Sequence, residues 1–180
     1  VNKYIHIPHS IDDLSNYKMF GLDHYDVILA SGQNQIDFIN KIEAIRNINK
    51  KEMHIVGSTY MDGLLAKKNS LSNQIKSNKL TVLVAPSWGK NSILCKFGEK
   101  FLTALTKTDF EIIVRPHPQS KTADKEVLDS LMKKFPDIDW NFDNDNFSIM
   151  NKSDVLISDF SSIIFDYSFI FERPVIYADT

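Results

Sequence analysis

Residues 155–177 read VLISDFSSIIFDYSFIFERPVIY. Two short apolar runs, VLIS at 155–158 and PVIY at 174–177, have the length and composition of strands. The stretch between them is apolar on every side and long enough for a helix. It opens with an aspartate and two serines, the residue types that begin helices. A strand, a helix and a strand joined by short connections form a βαβ unit, which pairs its strands in parallel through a right-handed crossover. Strands that are apolar throughout, with no alternation, are those buried on both faces of such a sheet.

The same alternation extends towards the amino terminus. LTVLVA (80–85) is a strand ended by Pro86, and apolar residues at 93, 94, 97, 101, 102, 104 and 105 form a helical stripe over Ser92–Thr106. Phe110–Val114 is a second strand, stopped by RPHP. Asp124–Phe135 is helical, DIDWNF is a short strand and NFSIMNKS a short helix. Before residue 70, KYIHIP, YDVILAS and MHIVGS are strands. Gln33–Ile48 is a helix carrying isoleucine at 36, 39, 42, 45 and 48. The polar stretch 66–79, rich in Lys, Asn and Ser, is the expected joint. The expected class is therefore α/β. A doubly wound, Rossmann-like domain over 79–180 follows the carboxy-terminal part of another α/β domain over 1–72. A chain starting at Val1 is expected to be a segment of something longer.

Composition narrows the functional classes. Of 180 residues, 43% are hydrophobic and 24% charged, with a net charge of −2. This is an ordinary globular balance that argues against a nucleic-acid partner or a polybasic membrane arm. No apolar run approaches the roughly 18 residues needed to cross a bilayer, and no leader peptide is legible. The single cysteine, Cys95, cannot form an internal disulfide, and among Ile93, Leu94, Phe97 and Phe101 it reads as a buried structural thiol. A thiolate zinc site is excluded, and no metal or cofactor is expected. No GxGxxG or GxxxxGKS pattern occurs, against a dehydrogenase or a P-loop enzyme.

A doubly wound sheet binds ligands beyond the carboxyl ends of its strands, where the strand order reverses. In the usual winding the second domain's first and fourth strands are neighbours there, with the second strand beside the first. The loops that follow them are PSWGKNS, SDFSS and RPHP. A helix beginning at Ser161 or Ser162 offers backbone N–H groups, two hydroxyls and a positive dipole end to an anion such as phosphate. Simple capping is the alternative. Pro116 and Pro118 fix the direction of Arg115 and His117. Arg115, one of three arginines against eighteen lysines, suits bidentate contact with phosphate or carboxylate. His117 suits proton transfer or hydrogen-bond donation near neutral pH. Ser87 and Lys90 are further phosphate candidates. Asp159 and Asp166 are candidates for a ribose contact, a base or a cap. His9, after the first strand, is placed to line a cleft.

VAPSW, VRPHP and LISDFSSIIFDYSFIFERPVIY, in that order and spacing, resemble the CDP-glycerol glycerophosphotransferase family. Those enzymes build teichoic acids and related surface polymers of the bacterial cell wall and capsule. DHYDVILASGQNQ and HIVGSTYMDGLL also resemble the segments that precede the carboxy-terminal domain there. The resemblance implies the two-Rossmann GT-B architecture, with the first domain on the acceptor side and the nucleotide held mainly by the second. It implies that Arg115, His117, Ser161 and Ser162 lie at the donor diphosphate, with His117 catalytic. It also implies a first-domain histidine as base, for which His9 is the positional candidate although HIPHSI departs from the commoner glycine-containing pattern. The implied reaction is attack by an acceptor hydroxyl, of a polymer or a lipid-linked molecule, on the donor's β-phosphorus with release of CMP. The implied setting is the cytoplasm, with room for peripheral contact at the inner membrane face. Two other readings stand beside it. One is a sugar-nucleotide enzyme of similar fold, such as a UDP-N-acetylglucosamine 2-epimerase or a glycosyltransferase. The other is a non-catalytic nucleotide-binding module.

Overall fold

Parallel strands and intervening helices divide the chain into two compact units, Val1–Gly63 and Leu64–Thr180. The structure is a computed structural model and describes residues 2–71 and 78–179.

In the first unit, strands β1 (Ile5–His6), β2 (Val27–Ala30) and β3 (Glu52–Ile55) form a parallel sheet in the order β1-β2-β3. A short 3-10 turn at Leu14–Asn16 follows β1, and helix α1 (Gln33–Arg46) joins β2 to β3. Leu14, Ile28 and Ile39 form the buried core. The isoleucine series on α1 does not form one buried stripe. A step of three residues falls short of a full turn by about 60°, so successive isoleucines wind around the helix. Ile39 faces the core at 2% exposure, whereas Ile45 is 75% exposed.

Helix α2 (Thr59–Asn69) runs across the division between the units. Its carboxyl half belongs to the second unit for a visible reason. Lys67 pairs with Asp145 at 2.8 Å and lies 4.4 Å above the Phe147 ring, and Lys68 donates to the Ile170 carbonyl at 2.6 Å. The division therefore falls before the polar stretch 66–79, part of which, 72–77, lies outside the described residues.

The second unit contains β4 (Thr81–Val84), α3 (Ile93–Leu105), β5 (Glu111–Val114), α4 (Ser120–Ala123), α5 (Lys125–Lys134), β6 (Asp139–Trp140), α6 (Phe147–Lys152), β7 (Val155–Ser158), α7 (Ile163–Asp166) and β8 (Val175–Tyr177). A π-helical turn, Tyr167–Phe171, continues α7. All five strands are parallel, in the order β6-β5-β4-β7-β8. The chain therefore winds outwards from β4 in one direction and then returns to β4's other side, so right-handed crossovers put α3 and α5 on one face and α6 and α7 on the other. Strand alternation divides the core accordingly. Val82 and Val84 pack with Ile93, Leu102 and Leu131, while Leu83 of β4 is likewise fully buried. Helices α3 and α5 approach closely at Gly98, where a Cβ would lie 2.7 Å from Leu131 Cδ1. Cys95, on α3, is half-buried, and burial pushes its thiol above the ordinary range.

Candidate functional site

The expected adjacency holds: β4 pairs with β5 on one side and β7 on the other. The loops 86–92, 115–119 and 159–162 thus leave the carboxyl ends of three neighbouring strands. Two aspartates tie them together.

Asp159, at the end of β7, is 0% exposed. One carboxylate oxygen accepts from the Ser87 backbone N–H at 2.7 Å and the other from the Ile93 N–H at 2.9 Å. It therefore fixes the loop after β4 and the first turn of α3 against β7, while the Ser92 hydroxyl accepts from Cys95 N–H to complete the cap. This differs from the ribose or base role expected of Asp159: both oxygens are engaged and buried, so the group positions the site from beneath. Ser158 reinforces the same seam by donating to the Ala85 carbonyl at 2.6 Å.

Asp124 ties the other pair of loops. Its side chain accepts from Gly89 N–H at 2.9 Å, and its charge also acts on His117. Gly89 has φ of +87°, a left-handed conformation that favours glycine. Sequence patterns mark Asp124 only as the start of a helix, and nothing in its spacing to Gly89 points to this contact.

His117 is half-buried, its ring 6.2 Å from that of Trp88. The Gln119 backbone N–H donates to its Nδ1 at 3.1 Å. An accepting Nδ1 leaves the proton of a neutral imidazole on Nε2. Burial lowers its pKa from the ordinary histidine value, and the nearby Asp124 charge works in the opposite direction. The geometry therefore favours a neutral imidazole that donates from Nε2.

Arg115 is 9% exposed, and its fork is already engaged: one NH2 group donates to Asn141 Oδ1 and the other to the Asp143 carbonyl. The expected phosphate contact differs from this arrangement, in which Arg115 anchors the segment after β6. The sequence held a clue in the carbonyl- and amide-rich NFDND stretch, but its spacing of about 26 residues from Arg115 is set by the sheet order alone. Arg115→Lys should cost about 1–3 kcal/mol, because one ammonium cannot satisfy two buried acceptors held by a planar fork. Chemical denaturation checks this, and an unchanged midpoint would return Arg115 to a ligand-facing role.

Ser161 and Ser162 are half-buried ahead of α7, and the Ser162 hydroxyl does not cap that helix. Ser87 is buried, and its Oγ has no hydrogen-bond partner within the protein. Lys90 and Trp88 are exposed on the same loop. Asp166 is half-buried and engaged. These groups supply hydroxyl, amide and cationic donors around one place, which suits an anionic ligand. His9 belongs to the first unit. It is exposed, with its ring 6.3 Å from Tyr17, whereas neighbouring His6 is occupied by Tyr17 Oη at 2.8 Å. Among the described residues no group of three His, Cys, Asp or Glu could hold a metal ion. No helix among them is long and apolar enough to cross a membrane.

Comparison with known proteins agrees with this topology. A structure of the wall teichoic acid polymerase TagF superposes with a TM-score of 0.52 at 17% identity, covering 97% of this chain and 48% of that one. A TagF structure from a 30 minute soak with CDPG gives 0.49 at 18% identity, covering 87% and 38%. The beta Kdo 2,7 transferase KpsC of Thermosulfurimonas dismutans gives 0.38 at 12% identity, covering 98% and 78%. The chain thus spans about half or less of the length of the TagF structures it matches. Among curated proteins none matches significantly. The family described as CDP-Glycerol:Poly(glycerophosphate) glycerophosphotransferase matches residues 15–180, a span that includes all three loops of the crevice. With its parallel α/β units of the GT-B kind, the chain belongs to that family of transferases.

Proposed function

We propose that the crevice at the ends of β4, β5 and β7 holds the diphosphate of a CDP-activated polyol, CDP-glycerol in the first instance. The chain would then serve an enzyme that transfers glycerol phosphate to a hydroxyl of a surface-polymer or lipid-linked acceptor. The observation that carries this reading is the joining of three donor-rich loops by Asp159 and Asp124 at the strand-order reversal. Membership of the family supports the cytidine donor.

In this reading the acceptor oxygen bonds to the β-phosphorus as the bond to the bridging oxygen breaks. The acceptor proton passes to a base and CMP leaves. Negative charge accumulates on phosphate oxygens, so the chemistry calls for fixed donors more than for a nucleophilic side chain. His117 donates from Nε2. Ser161, Ser162 and Ser87 supply hydroxyls, and Lys90 a mobile charge. Arg115 and Asp159 hold the loops that carry these groups. His9 as the base, and work at the cytoplasmic face of a membrane, rest on the family resemblance.

Calorimetric titration of the full-length protein with CMP, CDP-glycerol, UDP and UDP-sugars tests the donor. Saturable binding of the cytidine compounds is the expected result. If they fail to bind at millimolar concentration while UDP or a UDP-sugar binds, the cytidine assignment is wrong.

A further inference from the structure

The first unit holds a cavity of about 410 Å³ between α1 and the segment 14–23. It owes its existence to the isoleucine spacing on α1. Ile42, Ile45 and Ile48 have rotated away from the core position of Ile39 and form one wall together with Phe38. The opposite wall carries Met19 and Phe20, both largely exposed. That wall is held in place: Phe20 has φ of +68°, Arg46 lies 4.5 Å above its ring, and Arg46 grips Asp23 through two bonds of 2.8 and 2.6 Å.

Within this apolar lining sits a polar pair whose hydrogen bonding is incomplete. Glu43 is 3% exposed. Its Oε1 accepts from the Lys51 backbone N–H at 3.0 Å, but Oε2 has no hydrogen-bond partner. The Lys51 ammonium, on a side chain 8% exposed, lies 4.0 Å from Oε1, too far for a hydrogen bond. Both residues line the cavity. Buried polar groups almost always find partners, and leaving them without one is costly. An acceptor and a donor side by side are satisfied together by one group that both gives and takes a hydrogen bond. Their opposite charges already balance, so a charged ligand would leave one of them opposed.

We propose that this cavity is a binding site for an uncharged amphiphile, an alcohol with an apolar body, whose hydroxyl donates to Glu43 Oε2 and accepts from the Lys51 ammonium. The apolar body lies along the isoleucine wall and beneath Phe20. The site lies wholly within the first unit and does not depend on the nucleotide reading of the second.

The test is a titration of the full isotope-labelled chain with 1-octanol, followed by amide chemical shifts. Saturable shifts confined to residues 14–23 and 38–51 are expected. Octanoate and octylamine should bind at least about tenfold more weakly, as should 1-methoxyheptane, which accepts a hydrogen bond but cannot donate one. Ile42→Trp, which fills the cavity from a half-exposed position, should abolish binding while leaving the remaining spectrum in place. Equal binding of the ether would overturn the role of Glu43. Shifts scattered outside the lining, or none up to the solubility limit of octanol, would overturn the site itself. Because no nucleotide enters the titration, its failure is distinguishable from failure of the donor assignment.

Discussion

Replacing His117 with alanine is expected to lower glycerophosphate transfer by a factor of about 10²–10⁴ in the full-length enzyme, the range for loss of a group that stabilises developing charge. Donor affinity should change far less, because such a group acts more strongly in the transition state than in the ground state. The structure sharpens the expected role. With Nδ1 accepting from Gln119 N–H, the neutral ring presents its proton at Nε2. His117→Gln, which retains one donor, should then recover a large part of the lost activity. The pH profile gives an independent reading. Burial lowers this histidine's pKa from the ordinary value of 6.5. The neutral form therefore persists at neutral pH, and turnover should fall only as pH drops below 6.5 through the folded-state value. The same direction governs stability, for His117 and for His6, whose pKa burial and His9 also lower. A depressed pKa means that the unfolded chain takes up protons first, so the contribution is complete above 6.5 and is lost on acidification. Steady-state kinetics of the two variants from pH 5 to 8 check the argument. Activity that rises on the acid side, with Gln as poor as Ala, would show that the imidazolium is the working form.

Asp159→Ala carries the largest expected cost to stability. The substitution leaves the Ser87 and Ile93 N–H groups buried without acceptors, at about 1–3 kcal/mol each, or about 2–6 kcal/mol together. Asp159→Asn keeps one acceptor oxygen and should lose an intermediate amount. Urea denaturation monitored by circular dichroism measures both. Nucleotide binding should weaken in parallel, since the loop after β4 loses its attachment to β7. A near-normal midpoint for the alanine variant would mean that water replaces the carboxylate and that the loop needs no such tie.

The fold was largely legible because its strands are unbroken apolar runs. VLVA, EIIV and VLIS admit few alternatives once prolines and polar loops bound them. Their order in the sheet followed from the crossover rule, and with it the meeting of three loops at one edge. Side-chain pairing was not legible. Nothing near Asp159 in the chain indicates that its oxygens reach Ser87 and Ile93, and nothing near Arg115 points to Asn141. Both pairings arise only when distant segments become neighbours. Helix α2 escaped notice because no residue along it is buried, so no periodic apolar stripe marks it. The isoleucine series on α1 is the converse case, a regular spacing whose period is not that of the helix.

The tie between Asp159 and Ser87 spans 72 positions of chain. Its consequence lies in the order of assembly. During synthesis the loops after β4 and β5 emerge long before β7. At about 5–20 residues per second, the intervening segment takes roughly 4–14 s to appear. Until then the seam opposite β4 is open, its apolar edge exposed to chaperones and to other nascent chains. Pairing across such a separation contributes to high contact order and slow folding. The anion-binding edge therefore forms as one of the last events on the ribosome, all at once, when residue 159 arrives and closes a loop that the preceding segment cannot close by itself.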